Sequence, residues 1–280
     1  MKIDLHLHTT ASDGHFTPEE IINLAVKKRL DIIAITDHDS IAGITPAMAA
    51  SQASPWLTVI PGVEINTDVP QGEIHILGYF IDYTNPELNA TLQRLRSSRK
   101  ERALKMVARL HTLGLPLEWK RIQELAQGGS IGRPHIAQAL LEKGYIGSIK
   151  EAFTKYIGRD GPAYVERKKI TPTDAVKLII IACGLPVLAH PAGINNLEET
   201  IIQLKAAGLV GIEVYYDNYT TEAMKALMTV AEKHELIATG GSDYHGLEST
   251  ETYPGGVTVP VTAVEQLFHL SGKSLELMKR

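Results

Sequence analysis

Short apolar runs separated by polar segments with helical spacing set the pattern of the first 82 residues. Lys2–His8 reads as a short strand. Thr17-Pro18-Glu19-Glu20 then opens a helix, with a threonine cap and proline at the first helical position. Asp31–Thr36 (DIIAIT) is a buried strand, followed by a helix of small residues near Thr45–Ala53. Thr58–Ile65 and Glu73–Phe80 are two further strands. Strands alternating with helices favour a mostly parallel sheet.

The same alternation resumes after residue 170. Helices are expected at Thr171–Cys183, Leu197–Ala207 and Thr220–His234, with strands at Pro186–Ala189, Gly211–Tyr215 and Leu236–Thr239. The strand count is seven, one short of the eight of a regular β/α barrel. Between the halves the periodicity is helical. Asn85–Leu113 forms one long helix, shorter ones follow at Glu118–Ala126, Arg133–Lys143 and Ser148–Tyr156, and a strand signal returns only at Ala163-Tyr164-Val165. Residues 1–82 and 171–280 therefore read as an α/β barrel, and 83–170 as a helical insertion that folds over its mouth.

Composition changes this picture in two respects. At 280 residues, 44% hydrophobic and 21% charged, the chain is an ordinary globular protein. No apolar run approaches the roughly 18–20 residues of a membrane helix, and His6-Leu7-His8 lies too near the start for a leader to be expected. Cys183 is the only cysteine and lies in an apolar run, so no internal disulfide forms and a cytoplasmic setting is expected. The net charge of −4 conceals a division: 83–170 holds 17 Lys and Arg against 8 Asp and Glu, the rest 11 against 24. An acidic scaffold suits cations, and a basic module suits an anion.

The candidate chemistry sits at the strand ends. His6 and His8 end the first strand, with Asp13 in the loop beyond; Asp37 and His38 end the second; Glu64 ends the third. His75 lies within the fourth, His190 ends the fifth, and Asp243 and His245 follow the seventh. Loops at the C-terminal ends of barrel strands converge on one mouth, which is where such folds carry their active sites. Residues i and i+2 of a strand share a face, so His6 and His8 project together. Imidazole with carboxylate and no thiolate suits Zn²⁺, Mn²⁺ or Fe²⁺. A lone histidine is more often a core or surface residue, and His15, His111, His234 and His269 are read so; Asp39 and Asp68 are read as turn or cap residues.

His6-Leu7-His8, Thr36-Asp37-His38-Asp39, Pro61-Gly62-Val63-Glu64-Ile65, His190-Pro191 and Ser242-Asp243-Tyr244-His245 resemble the motifs of the PHP (polymerase and histidinol phosphatase) family. Thr9-Thr10-Ala11-Ser12-Asp13-Gly14, Ile74-His75-Ile76-Leu77-Gly78-Tyr79 and Gly132-Arg133-Pro134-His135-Ile136-Ala137 look like its TrpH/YciV branch. The resemblance implies a distorted seven-stranded barrel, a centre of up to three divalent metals and hydrolysis of phosphate esters. It also implies nucleoside 3′,5′-bisphosphates and short RNA 5′ ends as substrates. Carried over, one metal takes His6, His8, Glu64 and Asp243. A second takes Asp13, His38 and His190, with His15 the alternative to Asp13. A third takes His75, His245 and the shared Glu64.

Paired cations can activate a hydroxide for attack on phosphorus, so no protein nucleophile is needed. Asp37 then serves as a supporting partner, Arg133 as a bidentate phosphate clamp, and His135 as a donor or proton source for the leaving oxygen. Tyr215, Tyr216 and Tyr219 either stack on a base or pack. Nothing in the sequence marks a dedicated reader of base edges. Two other classes remain: a small-molecule monophosphatase of the histidinol-phosphatase or AMP-phosphatase kind, which does not need so basic an insertion, and a metal-binding module without turnover, which would have lost ligands. Neither DNA sequence recognition nor a membrane is expected, and the sequence leaves oligomeric state open.

Overall fold

The computed structural model describes residues 1–274 apart from 70–71, 127–128, 130, 167–169, 218 and 247–251. Arg167, Lys168 and Lys169, three of the cations of the insertion, lie outside the described residues. Seven strands form one nearly closed barrel in sequence order: β1 (Ile3–Leu7), β2 (Ile32–Ile35), β3 (Thr58–Val69), β4 (Gly72–Tyr79), β5 (Leu185–Leu188), β6 (Gly211–Tyr216) and β7 (Ile237–Gly241). The last strand meets the first: Leu7 bridges to Tyr244 in parallel, and the His8 N–H donates to the Tyr244 carbonyl at 3.1 Å.

β4 departs from the parallel arrangement, because it pairs antiparallel with both β3 and β5. β3 runs to Val69, four residues past the expected Ile65, and turns directly into β4. With no helix between them the two strands must fold back as a hairpin, since a parallel return needs a crossover of a dozen residues or more. His75 lies within β4 and faces Asn66 across the hairpin.

The helices follow the caps written in the sequence. α1 (Pro18–Lys27) begins with a complete capping box: Thr17 Oγ1 accepts from Glu20 N at 3.2 Å, and the Thr17 N–H donates to Glu20 Oε2 at 2.8 Å. Next come α2 (Ile44–Ser51), α3 (Pro86–Thr112), α4 (Trp119–Leu125), α5 (Arg133–Glu142) and α6 (Ile149–Ala152), the last continued by a π turn over Phe153–Ile157. α7 (Pro172–Ile181), α8 (Leu197–Ala207) and α9 (Thr221–Lys233) alternate with the later strands. A tenth helix, α10 (Val261–Leu270), was not expected. Its Val264, Leu267 and Phe268 join Ile3, Leu5, Ile32, Tyr79 and Val187 in one buried cluster.

The expected strand at Ala163–Val165 is instead an irregular stretch whose carbonyls serve arginines. Val165 O accepts from Arg102 Nε at 2.7 Å, and Tyr164 O accepts from Arg109. The insertion has its own core, with Met106 and Leu110 of α3 against Ile122, Ile136, Leu140 and Ile157. The first half of α3 belongs elsewhere: Leu88, Leu92 and Leu95 pack with Val63, Ile65, Ile76 and Ile179 in the barrel's cluster. One helix thus begins in one core and ends in the other. No helix among the described residues is long and apolar enough to cross a membrane.

Candidate metal centre

Barrel closure creates the first donor group. At Gly241 a Cβ would fall 2.4 Å from the Cβ of His6, so only glycine lets β7 approach β1 there. The chain then turns through Asp243, held at a φ of 53°. Its Oδ1 lies 3.2 Å from His6 Nε2 and 2.9 Å from His8 Nε2. Glu64 Oε2 from β3 stands 3.4 Å from each of the same nitrogens. This set is the first one the resemblance implied.

The other two sets are grouped differently from the implied partition. His245 joins Asp13, with Nε2 3.6 Å from Oδ1, in a group completed by His8 and His38. His190 leaves Asp13 and comes to Glu64 Oε1 (3.1 Å) and His75 Nδ1 (3.1 Å), with His75 itself 2.9 Å from Oε1. Strand adjacency is the cause. The loops after β1 and β7 are tied by the His15 N–H donating to His245 O at 2.7 Å, which leaves the His15 side chain exposed. β4 and β5 are neighbours, and the Ala189 N–H donates to His75 O at 3.1 Å. His15, His111, His234 and His269 belong to none of the donor groups among the described residues.

The cluster fits cations on its own chemistry. His6 Nε2, both ring nitrogens of His8, Asp13 Oδ1, Glu64 Oε2, His75 Nε2 and Asp243 Oδ1 are buried without any hydrogen bond. Each such atom costs about 1–3 kcal/mol if left unsatisfied, so their concentration at one point calls for bound cations. Burial opposes ionisation of Glu64, yet His38, His75 and His6 hold it well below the usual carboxylate range. Asp13 and Asp243 are likewise depressed against burial by surrounding imidazoles, chiefly His38 for the first and His6 for the second. Burial, reinforced by His245 and His38, brings His8 down to about 3 and so keeps it a neutral ligand.

Support comes from residues that sequence reasoning passed over. Glu213 of β6 is fully buried; its Oε1 sits 3.0 Å from His6 Nδ1, and its Oε2 accepts the His190 N–H at 2.9 Å. Such a carboxylate fixes the tautomer and orientation of the imidazole in front of it. Asp4 accepts from the backbone of His6, Ser242 and Gly255 and from the Ser242 hydroxyl, which pins the turn after β7. Tyr216 donates to Asp243 Oδ2 at 2.7 Å; Tyr219 Oη accepts the Ala192 N–H at 3.0 Å; Tyr215 packs on the apolar core. Asp39 is the turn residue expected, at a φ of 49°, but it is also fully buried and accepts from Arg99 Nε at 2.8 Å and from the Asn66 N–H at 3.0 Å. The backbone of Asp68 continues β3, while its side chain lies outside the described residues.

The three residues expected to assist catalysis are placed as follows. Asp37 reaches no histidine: its carboxylate is filled by the Thr9 N–H and hydroxyl and by the Ser12 hydroxyl, at 2.7–2.8 Å. Burial, helped by Asp13, raises its pKa to about 6. It shapes the loop that carries Asp13. Arg133 opens α5, where it lines a cavity of about 150 Å³ with His38, His75, Arg99 and Arg102, and Nη2 pairs with Glu73 at 2.8 Å. Arg102 Nη2, in the same wall, is buried without a partner. His135 Nδ1 accepts the Gly132 N–H at 3.0 Å, so its proton is on Nε2. Burial holds it below the ordinary imidazole range, with Asp13 opposing and Arg99 reinforcing, which makes it a neutral donor and a poor proton source.

Residues 4–158 match the PHP domain. The chain belongs to the PHP domain family. Among curated proteins this PHP chain is 38% identical to the 5′-3′ exoribonuclease Rnm of Escherichia coli, over 86% of its own length and 84% of that protein's. It is 34% identical to the 3′,5′-nucleoside bisphosphate phosphatase of Chromobacterium violaceum, over 87% of each. In structure it superposes on a Bifidobacterium adolescentis protein assigned to the metal-dependent phosphoesterases, with a TM-score of 0.88, 29% identity and coverage of 98% and 97%. The PHP barrel described above is accordingly that of a metal-dependent hydrolase of phosphoric ester bonds.

Proposed function

We propose that this PHP protein hydrolyses nucleotides that present two phosphates on one nucleoside, as nucleoside 3′,5′-bisphosphates and the 5′ ends of short RNA do. The observation that carries this reading is the arginine-lined cavity beside the donor cluster. Arg99, Arg102 and Arg133 converge with His38 and His75 on its walls. A single scissile phosphate would be held by cations in the cluster, and guanidiniums at a neighbouring cavity suit a second one. Binding energy gathered there, away from the reacting phosphorus, orients that phosphorus. By name, one curated relative is a 3′,5′-nucleoside bisphosphate phosphatase and another a 5′-3′ exoribonuclease.

Up to three divalent ions fit the donors. One would be held by His6, His8, Glu64 and Asp243, one by Asp13, His38 and His245, and one by Glu64, His75 and His190. Nitrogen and oxygen donors without thiolate suit Mn²⁺, Zn²⁺ or Fe²⁺. When bound, such ions polarise phosphate oxygens and acidify water. The chain's own residues do the rest: Glu213 fixes His6, Tyr216 fixes Asp243, Asp37 shapes the loop of Asp13, and His135 Nε2 offers a neutral N–H. Arg133 exchanges Glu73 for phosphate.

The test compares kcat/KM for adenosine 3′,5′-bisphosphate with that for AMP and histidinol phosphate in Mn²⁺. The bisphosphate is expected to win by at least about tenfold. Arg133→Ala should remove on the order of 2–5 kcal/mol of that advantage while leaving bound metal unchanged. A monophosphate that matches the bisphosphate overturns the reading in favour of a general monophosphatase.

A further inference from the structure

A second cavity, of about 490 Å³, opens on the other flank of His75. It touches the donor cluster through His75 and His190, and its far wall is Asn195, Asn196, Thr200 and Gln203, from the N-terminal end of α8 and the turn before it. The chemistry of this wall is unlike that of the arginine cavity. Among the described residues no lysine or arginine lines it, whereas Glu73 and Glu199 do. Glu73 is engaged by Arg133, and Glu199 adds a negative charge, so the described wall suits a neutral group better than a further phosphate.

Three observations specify that occupant further. The side-chain amides of Asn195, Asn196 and Gln203 are exposed and make no hydrogen bond within the described chain, so three donor–acceptor pairs stand free at one opening. Asparagine and glutamine amides match the paired donors and acceptors on the edge of a nucleobase. Val69, Ile74 and Ile194 line the same cavity and add apolar surface, which suits the face of a flat ring. Both cavities share Glu73 and His75. The two cavities therefore adjoin at the donor cluster, where a ligand carrying both phosphates would lie.

We propose that the amide-lined cavity is a nucleoside subsite, receiving the base of the nucleotide that carries the two phosphates. The inference rests on the two-phosphate reading and departs from the sequence expectation that the base goes unread. Asn196 is held at a φ of 54°, so Asn196→Gly removes the amide and keeps the backbone, while Gln203 is exposed on α8 and tolerates alanine.

The experiment measures kcat/KM of wild type, Asn196→Gly and Gln203→Ala in Mn²⁺ on two probes. One is 2′-deoxyadenosine 3′,5′-bisphosphate; the other is the 3′,5′-bisphosphate of 1,2-dideoxyribose, which differs from it only in lacking the base. Wild type should favour the deoxyadenosine compound by roughly tenfold, the worth of one or two neutral hydrogen bonds with some ring contact. Each variant should lose about three- to tenfold on that compound, chiefly in KM, and nothing on the abasic one. Equal wild-type rates on the two probes, or variants that slow both alike, overturn the nucleoside subsite while the two-phosphate reading stands. A wild type that hydrolyses AMP faster than either bisphosphate overturns the two-phosphate reading, and the subsite with it.

Discussion

Glu64 touches more of the cluster than any other donor. One of its oxygens faces His6, His8 and His38, and the other faces His75 and His190. Glu64→Gln keeps the shape and removes the charge, so it should lower bound metal and reduce kcat at least about a hundredfold. His15→Ala should change neither, as metal analysis with steady-state kinetics will record. Glu213→Gln tests the layer behind: one amide oxygen cannot accept from both the His6 ring and the His190 N–H, which should cost about ten- to a hundredfold in metal affinity or activity. Full activity in that variant would return Glu213 to a packing role. These two acids also mark what was legible at this scale. Glu64 sits in a recognisable motif at a strand end, whereas Glu213 lies in a buried strand, Gly211–Tyr216, where a carboxylate has no meaning until its partner His6 is known to stand opposite. His190 and Asp243 adopt left-handed backbone, with φ of 39° and 53°, and no periodicity announces such geometry.

Among the elements, α3 carries the most consequence. Its leucines at 88, 92 and 95 belong to the barrel's core, its Met106 and Leu110 to the insertion's, and the crossing point is marked by two buried arginines, Arg99 and Arg102. The Arg99–Asp39 pair is therefore a buried tether between the loop after β2 and the inserted helices. Arg99→Met would remove the guanidinium paired with the buried Asp39 carboxylate and should destabilise the protein by up to about 3–5 kcal/mol, read as a fall in the denaturation midpoint. Asp39→Asn combined with Arg99→Met should recover much of it; a double variant no better than the single one would show that the tether is not the source. The sequence shows the length of this helix and its basic character, but places the domain boundary at its start, because the amphipathic stripe does not reveal which core each half meets. Strand direction in β4 was hidden for a related reason. Its apolar residues look alike in either orientation, and only the brevity of the turn from β3 decides. α10 was missed although Val261, Val264, Leu267 and Phe268 repeat at helical spacing.

Across the whole molecule the donors come from, or directly follow, six of the seven strands, and β6 supplies Glu213 behind them. Cations bound there would cross-link the barrel from within, and an unfolded chain offers no such site. Chelation should lower the melting temperature. Restored Mn²⁺ should then raise stability by about 1.4 kcal/mol for each tenfold increase in free ion above its dissociation constant. Identical melting curves with and without chelator would contradict this. Barrel closure has a consequence in time as well. The first donor group needs His6 and His8 from the opening strand, Glu64 from the third, and Asp243 from the turn after the last. On the ribosome the histidines and Glu64 emerge early, and Asp243 only when synthesis of β7 is done. Until that strand docks beside β1 the first donor group is incomplete, so that group is assembled only in the event that seals the barrel.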